Sequence, residues 1–193
     1  LLYLASTSPR RRELLAQIGV PLMTLPVNVD EARFANESAQ IYVRRLSKDK
    51  AAAGWDAMLT QGLPPLPVLA ADTIVVIGES ILGKPMNESQ CVSALQALSG
   101  QTHKVMTAVT VRLADAEATE VATTDVTFRS LSEKEILRYW RTGEPQDKAG
   151  SYGIQGCGAV FVNGIVGSYS NVVGLPIEKV VVLLKQFDIP YWQ

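Results

Sequence analysis

Short apolar runs alternate with amphipathic stretches along the chain, and this alternation predicts a protein built from both strands and helices. The run at residues 2–5 ends at Ser6-Thr7-Ser8-Pro9, which predicts a buried strand that leads into a tight loop. The run at residues 68–77 is the strongest buried strand of the sequence, and a turn at Gly78-Glu79 leads from it into a short return strand. Further strands are predicted at residues 104–113 and 120–128, and residues 22–29 are expected to be extended.

Capping residues together with apolar positions at helical spacing predict the helices. Ser8 and Pro9 fit an N-cap and a first helical residue, and Gly19 ends the helix that they begin. Ser132, followed by Glu135 three residues later, predicts a capping box. The predicted helices cover residues 9–18, about 38–55, 88–98, 132–140 and 176–187.

The order of these elements predicts an α/β fold in one domain over residues 1–193, a length typical of single domains. Several strands follow one another directly, which indicates hairpins and therefore a mixed sheet. The segment at residues 150–174 is rich in Gly and β-branched residues, and we expect strands and tight turns there.

Composition excludes several classes of protein. The chain carries 18 Lys and Arg against 19 Asp and Glu, whereas a protein that binds long nucleic acid through bulk electrostatics is normally strongly basic. The longest apolar stretches are far shorter than the roughly 20 residues that span a bilayer, so no membrane partner is expected. Cys91 and Cys157 lie far apart, with His103 as the only histidine, and they cannot assemble a thiolate zinc site. Two lone thiols predict a reducing, cytoplasmic location.

Three consecutive arginines, Arg10, Arg11 and Arg12, occupy the first turn of the first predicted helix. Positive charge there opposes the helix dipole, whereas the backbone N–H groups of a loop between strand and helix attract anions. A bound phosphate would compensate for the arginines, and a solvated basic helix start is the alternative. The motif alone leaves both interpretations open.

Two charged residues stand at positions where apolar residues are expected. Lys50 lies on the apolar face that Val43 and Leu46 define in the second predicted helix, so its amine either extends to the surface or reaches a polar pocket. Asp72 interrupts an otherwise apolar strand. Burying an unpaired carboxylate costs several kcal/mol, so Asp72 must meet a cation, a metal or solvent. A functional carboxylate is favoured over one that caps a neighbouring loop.

Other features carry weaker signals. Lys84 follows the return strand, in a loop that Pro85 makes rigid. Residues 153–158 are rich in glycine, but they lack the GxGxxG spacing and the following helix of a dinucleotide site. His103 is interpreted as structural. Basic groups, an inward carboxylate and no covalent nucleophile suit phosphoryl chemistry in which water attacks and a divalent metal neutralises oxyanions.

Six stretches, in the same order over nearly the whole chain, resemble the Maf family of nucleoside triphosphate pyrophosphatases. Each is weakly specific alone, and the six together are specific. They run from Leu4 to Arg11, Ala71 to Val75, Gly83 to Pro85, Ser99 to His103, Asp147 to Gly156 and Gly167 to Pro176. The resemblance implies a twisted mixed sheet with flanking helices, two lobes around a nucleotide cleft, a cytoplasmic location and a homodimer.

The resemblance also implies hydrolysis of a nucleoside triphosphate to the monophosphate and pyrophosphate, with Mg²⁺ or Mn²⁺ as cofactor. The proton acceptor of the family falls on Asp72, and its phosphate-binding positions fall on Ser6, Lys50 and Lys84. In the branch that acts on dTTP and UTP, the specificity positions match Arg10, Thr73 and Gln155.

The resulting hypothesis is a pyrophosphatase for dTTP, UTP and modified pyrimidine triphosphates, in which Asp72 activates water for attack at the α-phosphorus. Glu31, which follows an extended segment, is a second candidate metal ligand beside Asp72. One alternative is the same reaction on a methylated or other non-standard purine nucleotide. Another is a nucleotide-binding regulator of cell division without catalytic activity.

Overall fold

Seven strands and six α-helices make up the computed structural model, which describes residues 1–192. The strands are β1 (Leu2–Leu4), β2 (Leu22–Thr24), β3 (Val68–Ile77), β4 (Ser80–Leu82), β5 (Thr102–Leu113), β6 (Ala116–Phe128) and β7 (Val162–Val166). The helices are α1 (Pro9–Gln17), α2 (Ala39–Thr60), α3 (Glu88–Leu98), α4 (Glu133–Trp140), α5 (Tyr169–Val173) and α6 (Ile177–Gln186).

The strands form one sheet in the order β2-β1-β3-β5-β6-β7, with β4 paired to β3. β1 runs parallel to β2 and to β3, whereas the pairs β3–β4 and β6–β7 are antiparallel. The sheet is therefore mixed, and the prediction of an α/β fold with a mixed sheet and flanking helices is confirmed.

The chain divides into two compact units. The first comprises Leu1–Asp72, Thr107–Ala122 and the residues from Gly174 onward, and the second comprises Thr73–Met106 and Thr123–Val173. Strands β3, β5 and β6 contribute residues to both units. The assignment of residues 1–193 to a single domain stays a prediction.

In the first unit, helix α2 packs directly on strands β1 and β3. Gly54 makes this approach possible, because a Cβ atom there would lie 2.8 Å from Val68 Cγ1 and 2.9 Å from Ala5 Cβ. Met58 and Ala51 of the same helix are fully buried in this core. The apolar face of α2 thus fixes the helix over the end of β3 that carries Asp72.

In the second unit, aromatic rings fill the core between α3, α4 and the sheet. Phe128 packs edge-on against Tyr152, with ring centroids 4.7 Å apart, and Tyr139 packs edge-on against Phe161 at 4.9 Å. His103 belongs to the same cluster, because its ring lies edge-on to Phe128 at 4.9 Å. The packing agrees with the structural interpretation of this histidine.

Several element boundaries and one segment differ from the predictions. Helix α2 continues to Thr60, past the predicted end near residue 55, because Met58 keeps the buried face apolar. Strand β6 begins at Ala116, before the predicted start at residue 120. Strand β2 covers Leu22–Thr24 of the segment at residues 22–29 that was expected to be extended. Residues 150–174 contain only one strand, β7, together with 3-10 turns and α5. The N–H groups of Gly153, Cys157 and Gly158 donate to side chains of Tyr139 and Glu144, and the residue composition does not reveal such contacts.

None of the helices within residues 1–192 is long and apolar enough to cross a membrane.

Candidate active site

The loop between β1 and α1 is organised around the Ser6 hydroxyl. The Ser8 N–H donates to Ser6 Oγ at 3.2 Å, and Arg11 Nη1 donates to the same atom at 3.2 Å. Ser8 occupies the N-cap position of α1 in an extended conformation, but its side chain makes no cap bond. The Ser6 hydroxyl therefore organises this loop, and the arginines in the first turn of α1 lie beside it.

Arg11 is the arginine of the cluster that turns inward. Its Nε donates to the carbonyl of Gly174 at 2.9 Å. Burial lowers the pKa of the Arg11 guanidinium, while the charges of Asp72 and Glu31 oppose that effect. The cluster of three arginines was visible in the sequence, but only the fold distinguishes Arg11 within it.

Lys50 joins the two candidate carboxylates. Its Nζ donates to Asp72 Oδ1 at 2.6 Å and to Glu31 Oε1 at 2.6 Å. The Lys50 side chain is 15% exposed, against 11% for Asp72 and 50% for Glu31. The amine of Lys50 therefore reaches a polar site, and the carboxylate that interrupts β3 meets a cation.

Side chains of α2 hold the irregular segment that carries Glu31. The Tyr42 hydroxyl donates to the Glu31 carbonyl at 2.8 Å. Arg45 donates to the Ala32 carbonyl at 2.9 Å and forms an ion pair with the buried Glu37 at 2.7 Å. The hydrogen bond to Glu37 raises the pKa of the Arg45 guanidinium. Sequence reasoning missed Tyr42 and Arg45, because their partners lie in a segment without periodic pattern.

The donor chemistry near Lys50 fits a divalent cation that is shared with a phosphate-bearing ligand. No group of three or more His, Cys, Asp or Glu side chains within residues 1–192 is arranged to hold a metal by itself. Asp72 and Glu31 nevertheless converge on one ammonium group. Mg²⁺ is commonly bound by one or two protein carboxylates together with substrate phosphates and water, and these two carboxylates meet that requirement.

Of the remaining predicted residues, Arg10 lies in the first turn of α1 in the first unit, whereas Thr73, Lys84 and Gln155 belong to the second unit. Thr73 follows Asp72 on β3 and is half-buried, whereas Gln155 is exposed in the turn before the 3-10 segment Cys157–Phe161. Lys84 lies in the loop after β4, where it lines a cavity of about 300 Å³. Hydroxyl and amide groups from Ser89, Gln90, Ser93 and Ser151 line the same cavity.

These features define an α/β protein with a candidate anion site at a strand–loop–helix junction beside a paired carboxylate. The chain matches the model of the Maf-like protein family over residues 1–187, and it belongs to that family. A relative from Saccharophagus degradans named dTTP/UTP pyrophosphatase is 56% identical over 192 residues, which cover 100% of this chain and 91% of the relative.

Two further relatives carry the same name. The protein from Photobacterium profundum is 50% identical over 96% of each chain. The protein from Pseudoalteromonas atlantica is 51% identical over 99% of each chain. The similarity thus extends over the segments that contain every predicted site residue.

Proposed function

We propose that this chain is a nucleoside triphosphate pyrophosphatase that hydrolyses dTTP and UTP to the monophosphate and pyrophosphate. The name shared by relatives at 50–56% identity over nearly their full length supports this activity. The observation that carries the proposal is the Lys50 amine held between Asp72 and Glu31, next to the Ser6–Arg11 loop. Catalysis of phosphoryl transfer rests on such positioned charges.

Asp72 is the proposed proton acceptor. Lys50 donates to its Oδ1, and its second oxygen, Oδ2, can take a proton from the water that attacks the α-phosphorus. The hydrogen bond from the Lys50 ammonium restrains the rotation of the carboxylate. A general base held in one orientation typically contributes about 10²–10⁴-fold to the rate.

Lys50, Lys84, Ser6 and the first-turn N–H groups of α1 are the proposed donors to the triphosphate. Lys50 has three N–H donors, so it can donate to a phosphate oxygen while it keeps its hydrogen bond to Asp72. Asp72 and Glu31 are the carboxylates that would hold Mg²⁺ or Mn²⁺, and this ion supplies positive charge that offsets the charge of the phosphates.

Arg10, Thr73 and Gln155 are proposed to select the base, following the resemblance to the branch that acts on dTTP and UTP. Modified pyrimidine triphosphates are proposed as additional substrates. A cytoplasmic location and a homodimer stay predictions.

A pyrophosphate-release assay over the ordinary nucleoside triphosphates, a methylated GTP and modified pyrimidine triphosphates tests the proposal. Each substrate is assayed with Mg²⁺, with Mn²⁺ and with a chelator. The expected result is metal-dependent release that is fastest with dTTP and UTP. Preferential turnover of a purine or methylated guanine nucleotide would replace the proposed substrate. Nucleotide binding without release under any condition would favour a non-catalytic regulator.

A further inference from the structure

The glycine-rich segment at residues 153–158 encloses a carboxylate of the protein itself. Glu144 Oε1 accepts hydrogen bonds from the Tyr139 hydroxyl at 2.7 Å and from the Gly158 N–H at 3.0 Å. Glu144 Oε2 accepts from the Cys157 N–H at 2.7 Å. One half-buried carboxylate therefore receives three hydrogen bonds, two of them from consecutive backbone groups of this loop.

The spacing of the glycines follows from the space that Glu144 and Tyr139 occupy. A Cβ atom at Gly156 would collide with the Glu144 carboxylate. At Gly158 it would lie 2.8 Å from the Tyr139 hydroxyl oxygen, and at Gly153 it would lie 2.7 Å from Lys148 Cε and 3.1 Å from Glu144 Oε1. The three glycines thus allow the backbone to close on the acid, which explains a motif that does not fit a dinucleotide site.

Contacts on the other side hold Glu144 and Tyr139 in place. The Gly153 N–H donates to the Tyr139 hydroxyl at 3.1 Å, and Lys148 Nζ donates to the Glu144 carbonyl at 3.0 Å. Partial burial opposes ionisation of Glu144, but the hydrogen bonds from Gly158, Tyr139 and Cys157 outweigh it and lower the pKa of the carboxyl. The acid is therefore ionised at neutral pH and acts as a fixed acceptor for the loop.

Gln155 lies between the two fixed points of this loop. Tyr139 holds the backbone at Gly153, and Glu144 holds it at Cys157, while Gln155 itself is exposed. With its oxygen toward N3–H and its NH₂ toward O4, the Gln155 amide would match thymine and uracil, and in that same orientation it would mismatch cytosine. The Glu144 and Tyr139 hydrogen bonds fix the backbone from which this side chain extends.

We infer that Glu144 is a positioning residue for base selection, which holds the loop that presents Gln155 to the pyrimidine. The inference rests on the proposed function, because it needs Gln155 to read the base of a nucleotide. Glu144 itself touches no substrate in this account, and it acts only through the backbone of residues 153–158.

The test compares Glu144→Gln, Gln155→Ala and the double variant, with Glu133→Gln at an exposed position of α4 as the matched control. Gln keeps the shape of Glu144 but turns an NH₂ donor toward N–H or O–H donors, so the loop loses at least one bond. The measurement is kcat and KM for dTTP and dCTP, together with the melting temperature. Each single variant should lower the dTTP to dCTP ratio of kcat/KM at least about tenfold, mainly through KM for dTTP.

The double variant should lower the ratio no further than either single variant, because both changes remove the same contact. The control should keep the wild-type ratio. A wild-type ratio in Glu144→Gln, or ratios that fall independently in the double variant, would overturn the inference. If Glu144→Gln does not fold, the ratio is measured in Tyr139→Phe instead. This variant keeps the Glu144 carboxylate but removes one hydrogen-bond donor to it. An unchanged ratio in Tyr139→Phe would overturn the inference. Failure of the wild-type protein to hydrolyse any nucleotide would instead refute the proposed function.

Discussion

At the scale of single residues, Asp72 and Lys50 form an ion pair whose burial costs free energy. Both side chains are largely removed from water, and the desolvation of two charges offsets most of their attraction. Removing one partner is more harmful than removing both, because it leaves a buried charge without compensation. Glu31 is half exposed, so solvent stabilises its charge more effectively than that of Asp72.

Asp72→Asn should reduce turnover of dTTP by about 10²–10⁴-fold, because the amide keeps the shape of the side chain but cannot accept the proton. Steady-state pyrophosphate release measures this effect. Asp56→Asn, on the exposed face of α2, serves as the control and should retain wild-type turnover. Near-normal turnover in Asp72→Asn would refute the role of Asp72 as the base.

Lys50→Met should lower the free energy of unfolding by about 3 kcal/mol, because it removes the cation bonded directly to the buried Asp72 carboxylate. Urea denaturation measures the change. Adding Asp72→Asn to this variant should restore part of the loss, since the uncompensated charge is then gone. Lys48→Met removes an exposed ion pair with Glu117 and should change stability by less than about 1 kcal/mol. A double variant less stable than Lys50→Met would contradict the account.

Sequence reasoning found Asp72 and Lys50 because each charge breaks an apolar pattern. It did not find Tyr42, Arg45 or Glu144, because each is an ordinary polar residue on a helix or turn, and its role depends on contacts made in the fold. The separation of Arg11 from its two neighbours likewise depends on Gly174, which is 163 positions away along the chain.

At the scale of elements, capping chemistry and buried strands were predictable, and the glycine-rich segment was not. Ser132 and Glu135 form the predicted capping box at the start of α4, because this signal is local. β3 extends over the predicted residues 68–77, since a continuous apolar run leaves few alternatives. The 3-10 segment Cys157–Phe161 instead begins with two N–H groups bonded to the Glu144 carboxylate, and a periodic sequence pattern cannot predict such a contact.

Gly54→Ala should destabilise the protein by about 1–3 kcal/mol, because the added methyl group would press against Val68 and Ala5. Alanine is more favourable than glycine in a helix by up to about 1 kcal/mol. The free-energy cost of overpacking must therefore exceed that gain for the variant to be less stable. Thermal unfolding measures the balance, with Asp56→Ala at an exposed position of the same helix as the control. A higher melting temperature for Gly54→Ala would show that α2 does not approach the sheet this closely.

At the scale of the whole molecule, the near balance of 18 basic and 19 acidic residues conceals local clustering of charge. Arg11 and Lys50 lie next to Asp72 and Glu31 within the first unit. A chain with almost no net charge can therefore still place positive charge where a highly charged nucleotide would bind.

His103 should make the stability of the protein decrease in mild acid. Burial lowers the pKa of its imidazole to about 4, while Asp125 acts in the opposite direction. The unfolded chain takes up a proton near pH 6.5, so stability is complete above that pH and falls as the pH drops toward about 4. The loss amounts to about 3 kcal/mol.

Urea unfolding of wild type and His103→Phe at pH 7.5 and pH 4.5 measures this effect. Phe keeps an aromatic ring among Phe128 and Tyr152 but cannot titrate. At neutral pH the variant should be less stable, because it loses the hydrogen bond between His103 Nε2 and the Tyr152 hydroxyl. Its disadvantage should shrink or reverse at pH 4.5, and parallel pH profiles would contradict the account.

The identity of the attacked phosphorus is the most direct test of the central claim. Wild-type protein is incubated with dTTP and a divalent cation in oxygen-18-labelled water, and the products are analysed by mass spectrometry. Attack of water at the α-phosphorus predicts dTMP that carries the label, together with unlabelled pyrophosphate. Label in pyrophosphate, release of dTDP and phosphate, or absence of hydrolysis would contradict the claim.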